Sequence, residues 1–223
     1  MKKTNCVQLC KKRANMYSDS NASVKSLAVL EPRKEPRRYT LTEYLRREER
    51  AEELHEYYDG IIKKLPIAKG PHNIIVANMT AALLNAFALK GKDYIVIGSQ
   101  QLVYFPKLNV GVYPDVLTIT DTPQYFDNSE VLLINPLIII EVLSKSTNKY
   151  DTTEKFEKYK TLDSFEEYIL IDPNRPYIKT HFKEEKNLWR DSFFTETEGH
   201  LHLKSVDCTL DFAKIYKNIT FKK

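Results

Sequence analysis

The chain has 223 residues, 42% hydrophobic and 29% charged, enough for one domain with a sizeable core plus extensions. Its net charge of +4 is uneven. Residues 1–38 hold ten Lys and Arg against Asp19, Glu31 and Glu35, a net +7, which leaves 24 basic and 27 acidic residues, −3, for the remainder. A globular part without a positive field argues against a protein that coats nucleic acid, and three cysteines exclude a disulfide framework.

Cys6 and Cys10 form a lone C-x3-C, and no second pair completes a zinc site. MKKTNC starts like a secretory leader, yet no apolar stretch follows. The apolar run Val131 to Leu143 is interrupted by Asn135, Pro136 and Glu141 and is too short for a bilayer. A soluble, cytoplasmic protein without a membrane partner is expected. Residues 1–38, ending in EPRKEPRR, read as a basic, flexible leader, and a single domain over 39–223 follows.

Thr40 and Glu43 have capping-box spacing, and Leu41, Tyr44, Leu45 and Leu54 predict a charged helix that runs to the turn at Asp59-Gly60. Ile61-Ile62 then reads as a strand. Apolar residues at 75, 79, 82, 83, 86 and 87 predict a helix over 72–89, capped by Gly91. Strands are predicted over 94–97, 102–105 and 112–119, the last with Pro114 near its start. A continuous apolar run over 137–143 suits a central strand covered on both faces. Asp151 opens a helix containing Lys155, Phe156, Tyr159 and Leu162, and 168–171 is a strand ending at Asp172-Pro173. From Tyr177 the pattern is that of β-hairpins around Trp189, then a short helix near 210–216. The fold class is α/β, a mixed central sheet flanked by helices with a C-terminal hairpin region.

Three acids stand out by position: Asp115 within the 112–119 strand pattern, Glu141 inside the most apolar run, and Glu56 just ahead of the first strand. Acids in apolar strands pay desolvation unless an ion pair, a hydrogen-bond network or a metal compensates them. Should their strands be neighbours, Asp115 and Glu141 can share one Mg²⁺, an ion typically held by one or two carboxylates, with waters and phosphate oxygens completing its shell.

The ordered set 56-EYYDGII-62, 113-YPDV-116, 135-NPLIIIEVLSKST-147, 151-DTTEKFEKY-159 and 168-YILIDP-173 resembles the Uma-two family, a branch of the PD-(D/E)XK nucleases, over residues 39–221. The resemblance implies a restriction-endonuclease-like fold and metal-dependent hydrolysis of DNA phosphodiester bonds with Mg²⁺, for which Mn²⁺ substitutes. It implies Asp115, Glu141 and the Val142 carbonyl as metal ligands, with Glu56 as a further acid for a second ion or an ordered water. It also implies a homodimer, and no organic cofactor.

The superfamily's lysine two residues after the second acid is Leu143 here. Lys155, on the following helix, is the position that matches the family's displaced lysine, where an ammonium would orient the nucleophile or balance developing charge. Lys145 and Lys149 compete for that role, and an exposed lysine paired with Asp151 is the plain alternative. Tyr159 reads as packing, Asp151 as a helix cap, and His72 as structural or capping. Leu143 also keeps a rival open: a catalytically silent nuclease-fold module for nucleic-acid binding or assembly.

Overall fold

A capping box opens the first helix. The Thr40 hydroxyl accepts from the Glu43 N–H at 3.2 Å, and the Glu43 carboxylate accepts from the Thr40 N–H at 2.8 Å, satisfying two orphan donors of helix α1, Leu41–Glu48. In this computed structural model, which describes residues 37–144 and 150–221, α1 stops well short of Leu54. The Glu48 carboxylate turns onto the His55 N–H at 2.7 Å, and the chain enters a strand, β1, His55–Tyr58. Glu56 therefore lies within the first strand rather than ahead of it. The leader, apart from Arg37 and Arg38, falls outside the described residues with its Cys6 and Cys10, as do Lys145 and Lys149.

Asp59 and Gly60, at φ +43° and +94°, make the two-residue turn whose twist matches the flanking strands, and β2 follows over Ile61–Lys64. Helix α2, Gly70–Leu89, takes Pro71 in its first turn and gives way to Gly91 at φ +61°. It is long and apolar enough to cross a membrane by length and composition alone. Its Ile75, Met79, Leu83 and Phe87 pack into the core.

Strands β3, Ile95–Gly98, and β4, Val103–Phe105, lie near their predicted positions. The single strand expected over 112–119 is instead two: β5, Val110–Val112, and β6, Val116–Ile119, which belong to different sheets. Pro114 has no N–H for a ladder and restricts Tyr113 before it, so the chain breaks and changes sheets there. Asp115 thus sits at the entry to β6, not within a strand.

Next come β7, Ile138–Val142, and a π-helical turn, Tyr150–Lys155, that runs into the short helix α3, Phe156–Tyr159. Asp151 is therefore buried inside the first helical turn rather than capping a regular helix. Strands β8, Glu167–Asp172, β9, Tyr177–Glu185, and β10, Leu188–Phe194, are followed by the hairpin β11, His200–Leu203, with β12, Cys208–Asp211, and by helix α4, Phe212–Ile215.

The main sheet has the order β10-β9-β8-β7-β6-β3 and is mixed: β7 and β8 run parallel, and the other pairs antiparallel. A second sheet, β2-β1-β5-β4, is antiparallel. Period-two alternation divides the apolar run of β7 between two cores. Ile138, Ile140 and Val142 pack with α2, α4 and the β11–β12 hairpin. Ile139 points the other way, to α3 and the second sheet, with Tyr168 and Leu170 of β8. Glu141, two residues on from Ile139, emerges on that second face, where it meets Lys155 of the π-helical turn.

A candidate active site at the seam between two sheets

The register of β6 with β7 pairs Val116 with Ile140, so Asp115 comes level with Glu141 on the neighbouring strand. The Val142 N–H donates to Asp115 Oδ2 at 2.7 Å, and His72 Nε2, from the first turn of α2, lies 3.1 Å from the same oxygen. On the other side, Lys155 Nζ meets Glu141 Oε1 at 2.6 Å, with Glu56 Oε1 at 3.8 Å and Asp151 Oδ1 at 4.0 Å. The ammonium also donates to the Tyr113 carbonyl at 3.2 Å. The Tyr159 hydroxyl donates to Glu141 Oε1 at 3.3 Å. The crossing segment 113–115 therefore ties the sheets together: Tyr113 N–H donates to Glu56 Oε1 at 3.4 Å, and its carbonyl receives Lys155.

The π-helical turn accounts for the reach of Lys155. Its wide winding carries the side chain inward, and Lys155 is 4% exposed where a surface helix lysine would be solvated. Glu141 is 3% exposed and Glu56 7%, whereas Asp115 keeps 21% of its side chain open. Asp115, Glu141, His72, Asp151 and Lys155 line one cleft of about 1220 Å³, walled by α2 residues such as Ala77 and Leu84 and by the Leu65–Lys69 approach to that helix.

Burial drives the Glu141 carboxyl well above the ordinary glutamate range; Lys155 opposes this, while Asp115 and Asp151 add to it. Burial alone would lower the Lys155 ammonium, but Glu141, Glu56 and Asp151 outweigh it and raise its pKa. The raised value favours the charged ammonium, the form that balances negative charge. Burial likewise opposes protonation of His72, and the Asp115 hydrogen bond and charge overcome it, lifting the imidazole above 6.5.

The structure thus brings Glu56, Asp115, Glu141 and Lys155 together. Val142 enters through its N–H. Tyr159, buried in an aromatic cluster with Phe165 and Tyr168, also places its hydroxyl on Glu141. His72 is the residue that reading the sequence undervalued: its partner Asp115 lies 43 positions away, and nothing local signals the contact. Four carboxylates, Glu56, Asp115, Glu141 and Asp151, face one ammonium and one imidazole here, a charge deficit that a divalent cation would relieve. The contacts above all fall on one oxygen of each leading acid, Oδ2 of Asp115 and Oε1 of Glu141. Among the described residues no group of three His, Cys, Asp or Glu side chains is already gathered as a metal shell. A two-carboxylate Mg²⁺ site does not need one, so the donor set fits such an ion, which Asp115 and Glu141 would hold beside the Lys155 ammonium.

A family model described as "Uma2: Putative restriction endonuclease" matches residues 41–212. The Synechocystis sp. protein named "Uncharacterized protein slr1290" is 27% identical over 179 residues, 80% of this chain and 92% of that protein. A second from that organism, "Uncharacterized protein sll1609", is 35% identical over 117 residues, 52% of this chain and 65% of the relative, so the chain spans just under two thirds of its length. The crystal structure of "a putative nuclease belonging to DUF820 from Anabaena variabilis ATCC 29413" has the same fold, at a TM-score of 0.63 and 18% identity, covering 82% of this chain and 99% of that one.

Proposed function

Because the chain belongs to the Uma2 family of restriction-endonuclease-like proteins, we propose that it is a divalent-metal-dependent nuclease that hydrolyses DNA phosphodiester bonds at the seam between its sheets. The observation that carries this reading is the level pairing of Asp115 with Glu141 at the base of an open cleft, with Lys155 2.6 Å from Glu141. Asp115 and Glu141 would hold Mg²⁺, for which Mn²⁺ substitutes. When bound, that ion supplies Lewis acidity toward the scissile phosphate. His72 and the Val142 N–H fix the orientation of Asp115 by holding Oδ2. Lys155, its ammonium favoured by the surrounding carboxylates, offsets negative charge as the phosphate is attacked. Glu56, held by the Tyr113 N–H, sits across Lys155 from Glu141 as a further acid that can orient a water.

A second reading rests on a specific contact: Lys155 already occupies Glu141, and Leu143 leaves no second lysine on the strand. The chain would then be a catalytically silent nuclease-fold module. Nicking of supercoiled plasmid with Mg²⁺ or Mn²⁺, alongside single-stranded DNA and RNA, separates the two. Wild type is expected to nick DNA while Asp115→Ala and Glu141→Ala do not; the same rate in all three proteins overturns the nuclease assignment.

A further inference from the structure

Beside Glu56 the second sheet presents a feature that the chemistry above does not use. Glu56 and Lys63 are register partners in β1 and β2, so their side chains share a face, and Tyr58, two residues from Glu56, joins them there. The Tyr58 hydroxyl donates to Glu56 Oε2 and lies 2.7 Å from the Tyr150 hydroxyl, which pins the ring against the π-helical turn. Lys63 Nζ stands over this ring, 4.3 Å from its centroid. Lys158, three residues beyond Lys155, brings its Nζ to 6.0 Å from the same centroid and 5.1 Å from that of Tyr150.

Two ammonium groups are thus gathered around one tyrosine. Their neighbours are neutralised: Lys64 pairs with Glu53, and Lys160 with Glu157. Among the described residues neither Lys63 nor Lys158 has a carboxylate oxygen within 4.0 Å, and the Lys158 ammonium spends one donor on the Glu154 carbonyl at 3.3 Å. Burial, together with the Lys63 charge, pulls the Lys158 ammonium below its ordinary value, against the opposing pull of Glu154 and Glu56. The aromatic faces compensate each cation only in part. Such a pair is a receptor for an anion with several acceptor oxygens.

We propose that Lys63 and Lys158 clamp a backbone phosphate of a nucleic acid, one that flanks the phosphate presented to Asp115 and Glu141. The proposal rests on the nuclease reading for its ligand class and adds positive charge beside the cleft, where Lys69 and Lys155 are the only Lys or Arg among the described residues that line it. Tyr58 links the two places: its ring carries the clamp, and its hydroxyl holds Glu56.

The test is equilibrium binding of a fluorescein-labelled single-stranded DNA oligonucleotide, followed by anisotropy in EDTA so that cleavage does not intervene, across a salt series. Lys63→Gln and Lys158→Gln are each expected to weaken binding several-fold and to reduce the slope of log K against log salt by roughly 0.7. The double variant should lose no more than that, about 0.7 in all, because the two lysines hold one phosphate. Lys63→Arg should restore the slope, Lys214→Gln on α4 should leave it unchanged, and thermal midpoints should stay at the wild-type value. Wild-type slopes in both single variants, an equal loss in Lys214→Gln, or no binding by wild type each overturns the clamp. Plasmid nicking by wild type with unaltered slopes rejects the clamp and spares the nuclease reading. Lost slopes in a protein that never cleaves reject the nuclease reading and retain the clamp.

Discussion

Two buried glutamates on adjoining strands show how differently a fold can treat an acid. Glu167, 1% exposed at the start of β8, accepts from the Lys204 N–H at 3.3 Å, the Ser205 N–H at 3.1 Å and the Ser205 hydroxyl at 2.7 Å. Its partners are neutral donors in the turn between β11 and β12, and they fasten that hairpin to the main sheet. Glu141, 3% exposed on β7, meets an ammonium and a phenol while two further carboxylates raise its pKa. Burial lifts both groups above the ordinary value. What separates them is company: satisfied lone pairs at Glu167, an excess of like charge at Glu141. The first arrangement builds a fold, and the second is the one to which we assign a cation.

The largest effects should fall on the crowded acid. Glu141→Gln is expected to lower metal-dependent plasmid nicking about a thousandfold, equivalent to ~4 kcal/mol of barrier, whereas Glu167→Gln should leave nicking at the wild-type rate. Initial rates on supercoiled plasmid check both.

Next in size is Lys155→Met. Removing the ammonium leaves Glu56, Glu141 and Asp151 buried together, and urea unfolding should record a loss of about 3–5 kcal/mol. Glu167→Gln should cost only about 1 kcal/mol in the same measurement, because the amide oxygen still accepts from the hairpin turn.

A pH series sharpens the contrast further. Burial raises the Glu167 carboxyl above 4.5, although its Ser205 and Lys204 donors pull the other way. A carboxyl raised by folding contributes stability that is complete below its unfolded value and is lost as pH climbs through its folded value. Between those two values wild type should lose stability relative to Glu167→Gln as pH rises, read from urea midpoints. A difference that stays flat from pH 4.5 upward would show that the hairpin donors cancel the burial.

The smallest expected change is Tyr159→Phe, which removes one of the two contacts on Glu141 Oε1 among the described residues. Nicking should slow by roughly tenfold or less, about 1 kcal/mol, with Mn²⁺ affinity close to wild type.

The run around Glu141 was legible because a strand covered on both faces is apolar throughout, and one carboxylate in it is conspicuous. The α2 stripe and the capping box at Thr40 were legible for equally local reasons. Glu56 was misplaced because His55–Tyr58 is polar and aromatic, and Leu54 happens to continue the helical stripe of α1. The break at Tyr113-Pro114 was missed because 112–119 reads as one apolar strand until a second sheet exists to receive β5. The π-helical turn carries no pattern that distinguishes it from an α-helix, yet its winding buries Lys155. The His72–Asp115 and Glu56–Lys155 contacts bridge 43 and 99 positions, distances over which only the folded chain brings residues together.

Calorimetric titration of Mn²⁺ into the protein tests the seam most directly. Wild type should take up the ion at a site that Asp115→Asn and Glu141→Gln each abolish and that Glu167→Gln leaves intact. Absence of binding heat in wild type at millimolar Mn²⁺, or undiminished binding in both acid variants, would contradict a cation shared by Asp115 and Glu141.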